Sequence, residues 1–314
     1  MSLPFVFPGF AAATLPPRPL HLAIGIFDGV HLGHRAVIEA AVQSARRTGG
    51  YAAVLTFSPH PSALLRPERP TRLLLPAAAQ ARVLGRLGAD AVITEPFTPE
   101  LARLPAEQFL PWLRRLVPQL AAVYVGENWR FGAGRRGDVA LLVDEGRRLG
   151  VGVFSAPRVN VDGEPVSSTR IRTLIEAGDV AAANTLLGYA YFAAGRVASG
   201  KKLGRTIGFP TVNLAWRPEL LPRFGVYVVR VSGEKSQVPL PGVANYGLRP
   251  TVEQAAEPRL ETHLLGACPF DAGDEIEVEW LRFLRPERKF ADLAGLRAQI
   301  SLDRNAAAAD FSLR

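Results

Sequence analysis

One feature constrains this chain more than any other: a strand–helix alternation that fills its first half and then stops. Apolar runs of strand length occur at residues 22–27, 52–57, 91–94, 122–125 and 151–154. Segments with helical spacing fall between them, at 77–87, 106–116 and 139–149, and after the first run Val37, Ile38, Ala41, Val42 and Ala45 share one helical face. Regular alternation of this kind predicts βαβ units, hence an α/β domain whose parallel sheet carries helices on both faces. In such sheets ligands bind beyond the carboxyl ends of the strands. Residues 169–187 read as helical, with a break at Gly178-Asp179. After Gly188 the texture changes to short alternating runs at 191–197, 226–231, 260–265 and 275–283, separated by Gly and Pro. That predicts an antiparallel β domain, a small barrel. Helical signals return at 293–300 and again after Asp303. The expected boundary lies at 185–189, giving domains 1–186 and 187–314, without internal repeats or low-complexity tracts.

Composition narrows the class. The single cysteine, Cys268, rules out an intramolecular disulfide and any CxxC motif, so a reducing, cytoplasmic setting is expected. The first twenty residues hold five prolines and no basic segment leading into an apolar run, so no signal peptide is expected. No apolar stretch reaches the ~18 residues of a membrane span. The net charge is +8, and of 37 basic residues only Lys201, Lys202, Lys235 and Lys289 are lysines. The arginines are scattered and no basic cluster interleaves with aromatics, so nucleic acid is not a favoured partner. Arginine suits small phosphate ligands, although codon bias accounts for the larger share of the excess.

The segment Gly25-Ile26-Phe27-Asp28-Gly29-Val30-His31-Leu32-Gly33-His34 sits where the first strand hands over to the first helix. Glycines there let backbone approach a ligand closely. The helix N-terminus offers unpaired N–H groups and the positive end of its dipole, which together bind phosphate. His31 and His34, three apart, face the same ligand and can donate hydrogen bonds to charge developing on an α-phosphate. No third Cys, His or carboxylate follows at ligand spacing, which argues against a metal fragment.

The segment resembles the HxGH signature of the nucleotidyltransferase superfamily, and its full form is similar to the bacterial FAD synthetases of the bifunctional riboflavin kinase type. Three more segments carry the resemblance: Thr56-Phe57-Ser58-Pro59-His60-Pro61 at the end of the second strand, Val125-Gly126-Glu127-Asn128-Trp129-Arg130-Phe131-Gly132, and Ser167-Ser168-Thr169-Arg170-Ile171-Arg172. Taken alone, the last is an ordinary helix N-cap, and a histidine between prolines, such as His60, is commonly structural. The resemblance implies a Rossmann-like nucleotidyltransferase domain in which the phosphate of FMN attacks the α-phosphate of ATP and pyrophosphate leaves. It implies that His31, His34, Ser168, Thr169 and Arg172, with Phe27, Gly29 and Gly33, hold the nucleotide, and that Phe57, His60 and Asn128 border the flavin.

In the second half, Gly195 to Lys202 nearly fits a Walker A loop, but Lys202 stands where Ser or Thr would ligate magnesium and Pro210 forbids the following helix. The better match begins at Gly200 and resembles the riboflavin kinase loop, running through Gly204 and Arg205 to Pro210-Thr211-Val212-Asn213. Thr211 and Asn213, two apart, point the same way in an extended segment, and two neutral oxygens completed by phosphate and water suit Mg²⁺. A bare turn explains the same residues on composition alone. Residues 242–251, with Arg249, resemble the kinase's next signature, Arg259 to Leu265 its catalytic strand, and Leu284 to Phe290 its tail. The resemblance implies a six-stranded antiparallel β-barrel with a terminal helix. In it Glu261 takes the proton of the riboflavin 5′-hydroxyl as that oxygen attacks the γ-phosphate of ATP, and Arg249 contacts flavin.

Two departures stand out. The family's Pro-Thr-Ala-Asn is Pro-Thr-Val-Asn here, and residues 266–273 lack the acidic residue and tyrosine expected of a loop that touches flavin. The leading reading is a bifunctional transferase acting on riboflavin, FMN and ATP with Mg²⁺, without an obligatory protein partner or a membrane. A weakened kinase half and a non-catalytic flavin or nucleotide sensor stay open. Against the sensor, His31, His34, Thr211, Asn213 and Glu261 are all present.

Overall fold

The computed structural model describes residues 3–198, 208–248 and 258–312. It forms two compact units, Met1–Ser168 and Thr169–Arg314. The first contains β1 (Phe5–Phe7), β2 (Leu20–Ile24), α1 (Leu32–Thr48), β3 (Tyr51–Ser58), α2 (Pro61–Leu65), α3 (Ala77–Arg86) and β4 (Ala91–Pro96). It continues with α4 (Pro99–Ala102), α5 (Ala106–Leu116), β5 (Leu120–Gly126), α6 (Val139–Leu149), β6 (Gly152–Ala156) and the two-residue strands β7 (Asn160–Val161) and β8 (Glu164–Pro165). The main sheet has the order β1-β4-β3-β2-β5-β6. Every adjacent pair in it is parallel.

The five predicted runs are β2 to β6. The first is shorter than expected because the backbone leaves the sheet at Gly25 to enter the turn described below. All five residues of β2 are buried, as a central parallel strand requires. α1 buries Val37, Ile38, Ala41 and Ala45 beneath it and ends at Gly49, whose φ of 64° supplies the left-handed C-cap. β1 was not legible: three residues between Pro4 and Pro8 show no period, and pairing with β4 creates the strand. The chain steps outward from β2 to β3 and β4, then crosses back to β5. The carboxyl ends of β2 and β5 therefore form the topological switch point where such sheets take ligands.

The second unit takes up α7 (Ser168–Ala177) from its second residue, Thr169, and continues with α8 (Val180–Leu187). The barrel strands are β9 (Phe192–Ala198), β10 (Val212–Leu214), β11 (Gly225–Gly233), β12 (Leu240–Leu248), β13 (Pro258–Leu264) and β14 (Glu275–Arg285), followed by α9 (Leu293–Ser312). They close in the order β10-β13-β12-β11-β14-β9. All neighbours are antiparallel. Aromatics fill the interior: Trp280 meets Tyr227 at 4.5 Å, Tyr246 at 5.4 Å and Trp216 at 5.7 Å between ring centroids. α8 is tied to this barrel, since Asn184 donates to the Trp280 carbonyl (2.8 Å) and accepts from the Tyr191 N–H (2.7 Å).

The two helical signals near the C-terminus are one continuous helix. Asp303, which reads as an interruption, is 5% exposed and takes a bidentate grip from Arg285 at 2.7 and 2.9 Å. With Arg282 and Asp310, also bidentate at 2.8 Å, it clamps α9 against the outer barrel wall, where Ala307 and Phe311 join Val226, Val228 and Val243.

Candidate active sites

The first candidate site is the turn after β2. Phe27 (φ 51°), Gly29 (φ 78°) and Val30 (φ 41°) all occupy the left-handed region. For a β-branched residue such as Val30 that conformation is strained and must be held by its surroundings. It is held from four directions. Gln80 donates to the carbonyls of Ile26 and Phe27 (2.9 and 3.0 Å), and Thr56 also donates to Ile26 (3.0 Å). Asp28, 4% exposed, accepts from the Leu74 N–H (2.8 Å), and Ser168 donates to the Asp28 carbonyl (2.9 Å).

The turn delivers His31 to the N-cap of α1. The His31 and His34 rings stack at 3.6 Å and 17°, with Phe27 edge-on to His34 at 5.3 Å. Gly33 keeps this pair clear, because a β-carbon there would press on the His31 ring at 3.3 Å. Burial lowers His31 to a pKa of about 4. Burial, and then the neighbouring His31, push His34 well below the usual histidine range. Both rings are therefore neutral at neutral pH, and the Nδ1 of each is buried without a hydrogen-bond partner among the described residues. Thr169 and Arg172 follow Ser168 on α7 and belong to the second unit.

Beside the turn lies a cavity of about 530 Å³. Its lining comes from the carboxyl ends of the strands: Gly25 and Ile26 after β2, Phe57 and His60 at β3, Phe97 after β4, and Asn128 to Phe131 after β5. Aromatic planes shape it, with Trp129 stacked on Phe131 at 4.5 Å and Phe57 edge-on to Phe97 at 6.1 Å. His60 has two functions. Its Nδ1 accepts from the Ser62 N–H (3.1 Å) to cap α2, and its ring lines the cavity.

The second candidate site is on the outer wall of the barrel. Glu261 on β13 pairs in register with Asn213 on β10 and with Asn245 on β12. The inward neighbours Val212, Leu214, Leu260, Thr262, Ala244 and Tyr246 are buried, so the three polar side chains form one row on the opposite face. A cavity of about 500 Å³ lies between this wall and α9. Thr211, Asn245, Glu261, His263 and Glu287 are among its polar lining, together with the charged Arg285, Arg288, Asp303 and Arg304, and Val226, Val243, Leu293, Leu296 and Ile300 are among its apolar lining. The His263 Nδ1 donates to the Pro210 carbonyl (2.9 Å), which fixes the approach to Thr211.

Gly204, Arg205 and Arg249 lie outside the described residues. Among the described residues, none from 266–273 lines this cavity. That loop is anchored elsewhere: Phe270 packs on Gly233, and Lys235 bridges Asp271 and Asp274, each at 2.8 Å. Sequence reading missed Gln80, Asn245 as an individual residue, and the Arg285–Asp303 clamp. A glutamine in a helix carries no local signal. Asn245 could have been found from the two-residue period that places it opposite Glu261.

These features define a class: a Rossmann-like nucleotidyltransferase unit joined to a closed antiparallel barrel with a helix-walled cavity. Comparison with known proteins narrows it. The family model for FAD synthetase matches residues 15–170 and that for riboflavin kinase residues 187–311. The chain is 38% identical to the bifunctional riboflavin kinase/FMN adenylyltransferase of Escherichia coli, covering 95% of each chain. It is 37% identical to that of Listeria monocytogenes (93% of this chain, 92% of that one) and 35% identical to that of Bacillus subtilis (again 93% and 92%). The chain belongs to the bifunctional riboflavin kinase/FMN adenylyltransferase family, with the adenylyltransferase in its N-terminal part and the kinase in its C-terminal part. A crystal structure described as a macrolide-efflux protein from Streptococcus pneumoniae shares the fold, with a TM-score of 0.84 at 27% identity over 98% of this chain and 99% of that one. Among the described residues here, no helix is long and apolar enough to cross a membrane.

Proposed function

We propose that each activity runs on the residues of its own candidate site, with the functional division at 186/187. In the N-terminal part the phosphate of FMN displaces pyrophosphate from the α-phosphorus of ATP, with the flavin in the aromatic cavity bordered by Phe57, His60 and Asn128. The turn Phe27–Gly29, Gly33 and the N-terminus of α1 receive the nucleotide phosphates, and Ser168, Thr169 and Arg172 complete the grip. His31 and His34 act as neutral donors, stabilising charge that develops on the α-phosphate without taking a proton. What supports this is the pair of buried Nδ1 atoms with no partner among the described residues.

In the C-terminal part Glu261 accepts the proton of the riboflavin 5′-hydroxyl while that oxygen attacks the γ-phosphate of ATP. The observation that carries this reading is the register Asn213–Glu261–Asn245 on the outer barrel wall, where Glu261 and Asn245 line the cavity. Gly204, Arg205 and Arg249 join this site as phosphate and flavin contacts. Among the described residues, no cluster of three or more His, Cys, Asp or Glu could hold a metal alone. Thr211 and Asn213 bring two neutral oxygens, a donor set that fits Mg²⁺ sharing its shell with nucleotide phosphates. Bound there, Mg²⁺ would neutralise charge on the β- and γ-phosphate oxygens. The substrates are riboflavin, FMN and ATP, and the single exposed cysteine fits a reducing cytoplasm.

The test is a time course with riboflavin, ATP and Mg²⁺, the flavins being separated as they form. FMN appears and then converts to FAD, and chelating the metal stops FMN formation from riboflavin. Loss of neither step on chelation would sink the metal assignment. Fragments 187–314 and 169–314 test the boundary. Should only the longer fragment phosphorylate riboflavin, α7 and α8 belong to the kinase.

A further inference from the structure

Glu287 lies just beyond β14, and its carboxylate is seated with unusual closeness against β12. A β-carbon at Gly247 would overlap that carboxylate, so the glycine is the seat that admits it. The Asn245 Nδ2 donates to the Glu287 Oε1 at 3.1 Å. Asn245 is also the register partner of Glu261. Two carboxylates therefore flank one amide on the polar side of the same cavity. Glu261 and Asn245 stand on neighbouring strands about 4.8 Å apart, and Glu287 is one hydrogen bond further on.

A row of acceptors at that spacing matches one part of riboflavin. The isoalloxazine ring suits the apolar side of the cavity, and the ribityl chain carries successive hydroxyls that need acceptors. A carboxylate accepts two hydrogen bonds and gives none, which suits a polyol. Resting on the kinase-site reading above, we propose that Glu287 reads the ribityl chain of riboflavin by accepting hydrogen bonds from hydroxyls between the ring and the reacting 5′-end. It is a specificity-determining residue for the sugar-alcohol chain, not for the ring.

The experiment compares riboflavin with lumiflavin, which has the same ring and a methyl group in place of the ribityl chain. In the full-length protein, Glu287→Ala raises the kinase KM for riboflavin about tenfold, the loss expected for hydrogen bonds to a charged acceptor. The kcat changes less, and inhibition by lumiflavin keeps its wild-type strength. Glu287→Gln, which retains one acceptor oxygen, gives a smaller rise. FAD formation from supplied FMN serves as the folding control and stays at the wild-type rate. Gly247→Ala leaves the carboxylate present but pushes it off its seat, so it reproduces the KM change and decides the question should Glu287→Ala lose the kinase outright. An unchanged riboflavin KM overturns the inference, as does a parallel loss of lumiflavin binding, which would mean that Glu287 only shapes the pocket. Glu261→Gln is run alongside: full kinase turnover in that variant would sink the site reading itself, whatever Glu287 does.

Discussion

The two candidate sites of this molecule, proposed to bring ATP phosphate to a flavin, are built from different materials. The N-terminal site is made of backbone. Three consecutive-turn residues in left-handed conformation (Phe27, Gly29, Val30) aim a helix N-terminus, and at the turn's end stand two neutral, stacked imidazoles. The C-terminal site is made of side chains on regular strands, where register alone lines up Asn213, Glu261 and Asn245. The difference follows the chemistry. Phosphate already ionised on FMN needs charge stabilisation and no base, whereas a riboflavin hydroxyl must lose a proton as it attacks. A parallel sheet supplies helix N-termini at its switch point, and a closed antiparallel barrel supplies ranked side chains on its wall.

The sharpest way to break this comparison is a crossed pair of substitutions. Glu261→Gln lowers riboflavin phosphorylation by about 10²–10⁴-fold, the range for a lost general base. His31→Asn, which keeps an N-cap residue, lowers FAD formation from FMN by about 10²-fold, near the lower bound for one lost transition-state donor. Each leaves the other activity at its wild-type rate. Flavin product ratios from the same protein batch measure both, and a shared loss would mean that the sites are not independent.

A second test concerns what holds each site. The cavity proposed for the kinase depends on α9 staying clamped, so Asp303→Asn destabilises the second unit by about 3 kcal/mol, as expected when one partner of a buried ion pair is removed. The readout is a lower unfolding temperature, with kinase activity lost before adenylyl transfer on heating.

The third and smallest effect is a pH dependence belonging to the first unit. His31 titrates near 6.5 when unfolded and near 4 in the fold. Between those values the unfolded chain takes up a proton and the folded chain does not. Stability is therefore full above pH 6.5 and declines as the pH falls towards 4, by at most about 3 kcal/mol for this group. Denaturation curves of wild type across that range should show the decline. The double variant His31→Asn, His34→Asn should flatten it, and an unchanged slope would show that other groups cause it.

Several of these features were readable in advance, and the reasons others were not are particular. The parallel sheet was legible because its central strands β2 to β5 are largely buried apolar runs and each long helix shows one apolar face. β12 was not, because Pro241, Gly242 and Gly247 break its pattern. The carboxylate of Glu287, forty positions away, occupies the space a side chain at Gly247 would take. The unity of α9 was hidden by Asp303, whose meaning depends on Arg285.

By itself the sequence determined the class of each half, the place of the strand-to-helix turn and the short list of chemical groups. Those properties reside in local periodicity, in glycines and in motifs a few residues long. Tertiary structure alone decided that His31 and His34 stack and lose their protons, and that Glu261 stands between two asparagines. It also decided that Gln80 holds the strained turn from a distant helix. Burial, register and long-range hydrogen bonds are properties of neighbours in space, and a linear chain records them only after it has closed on itself.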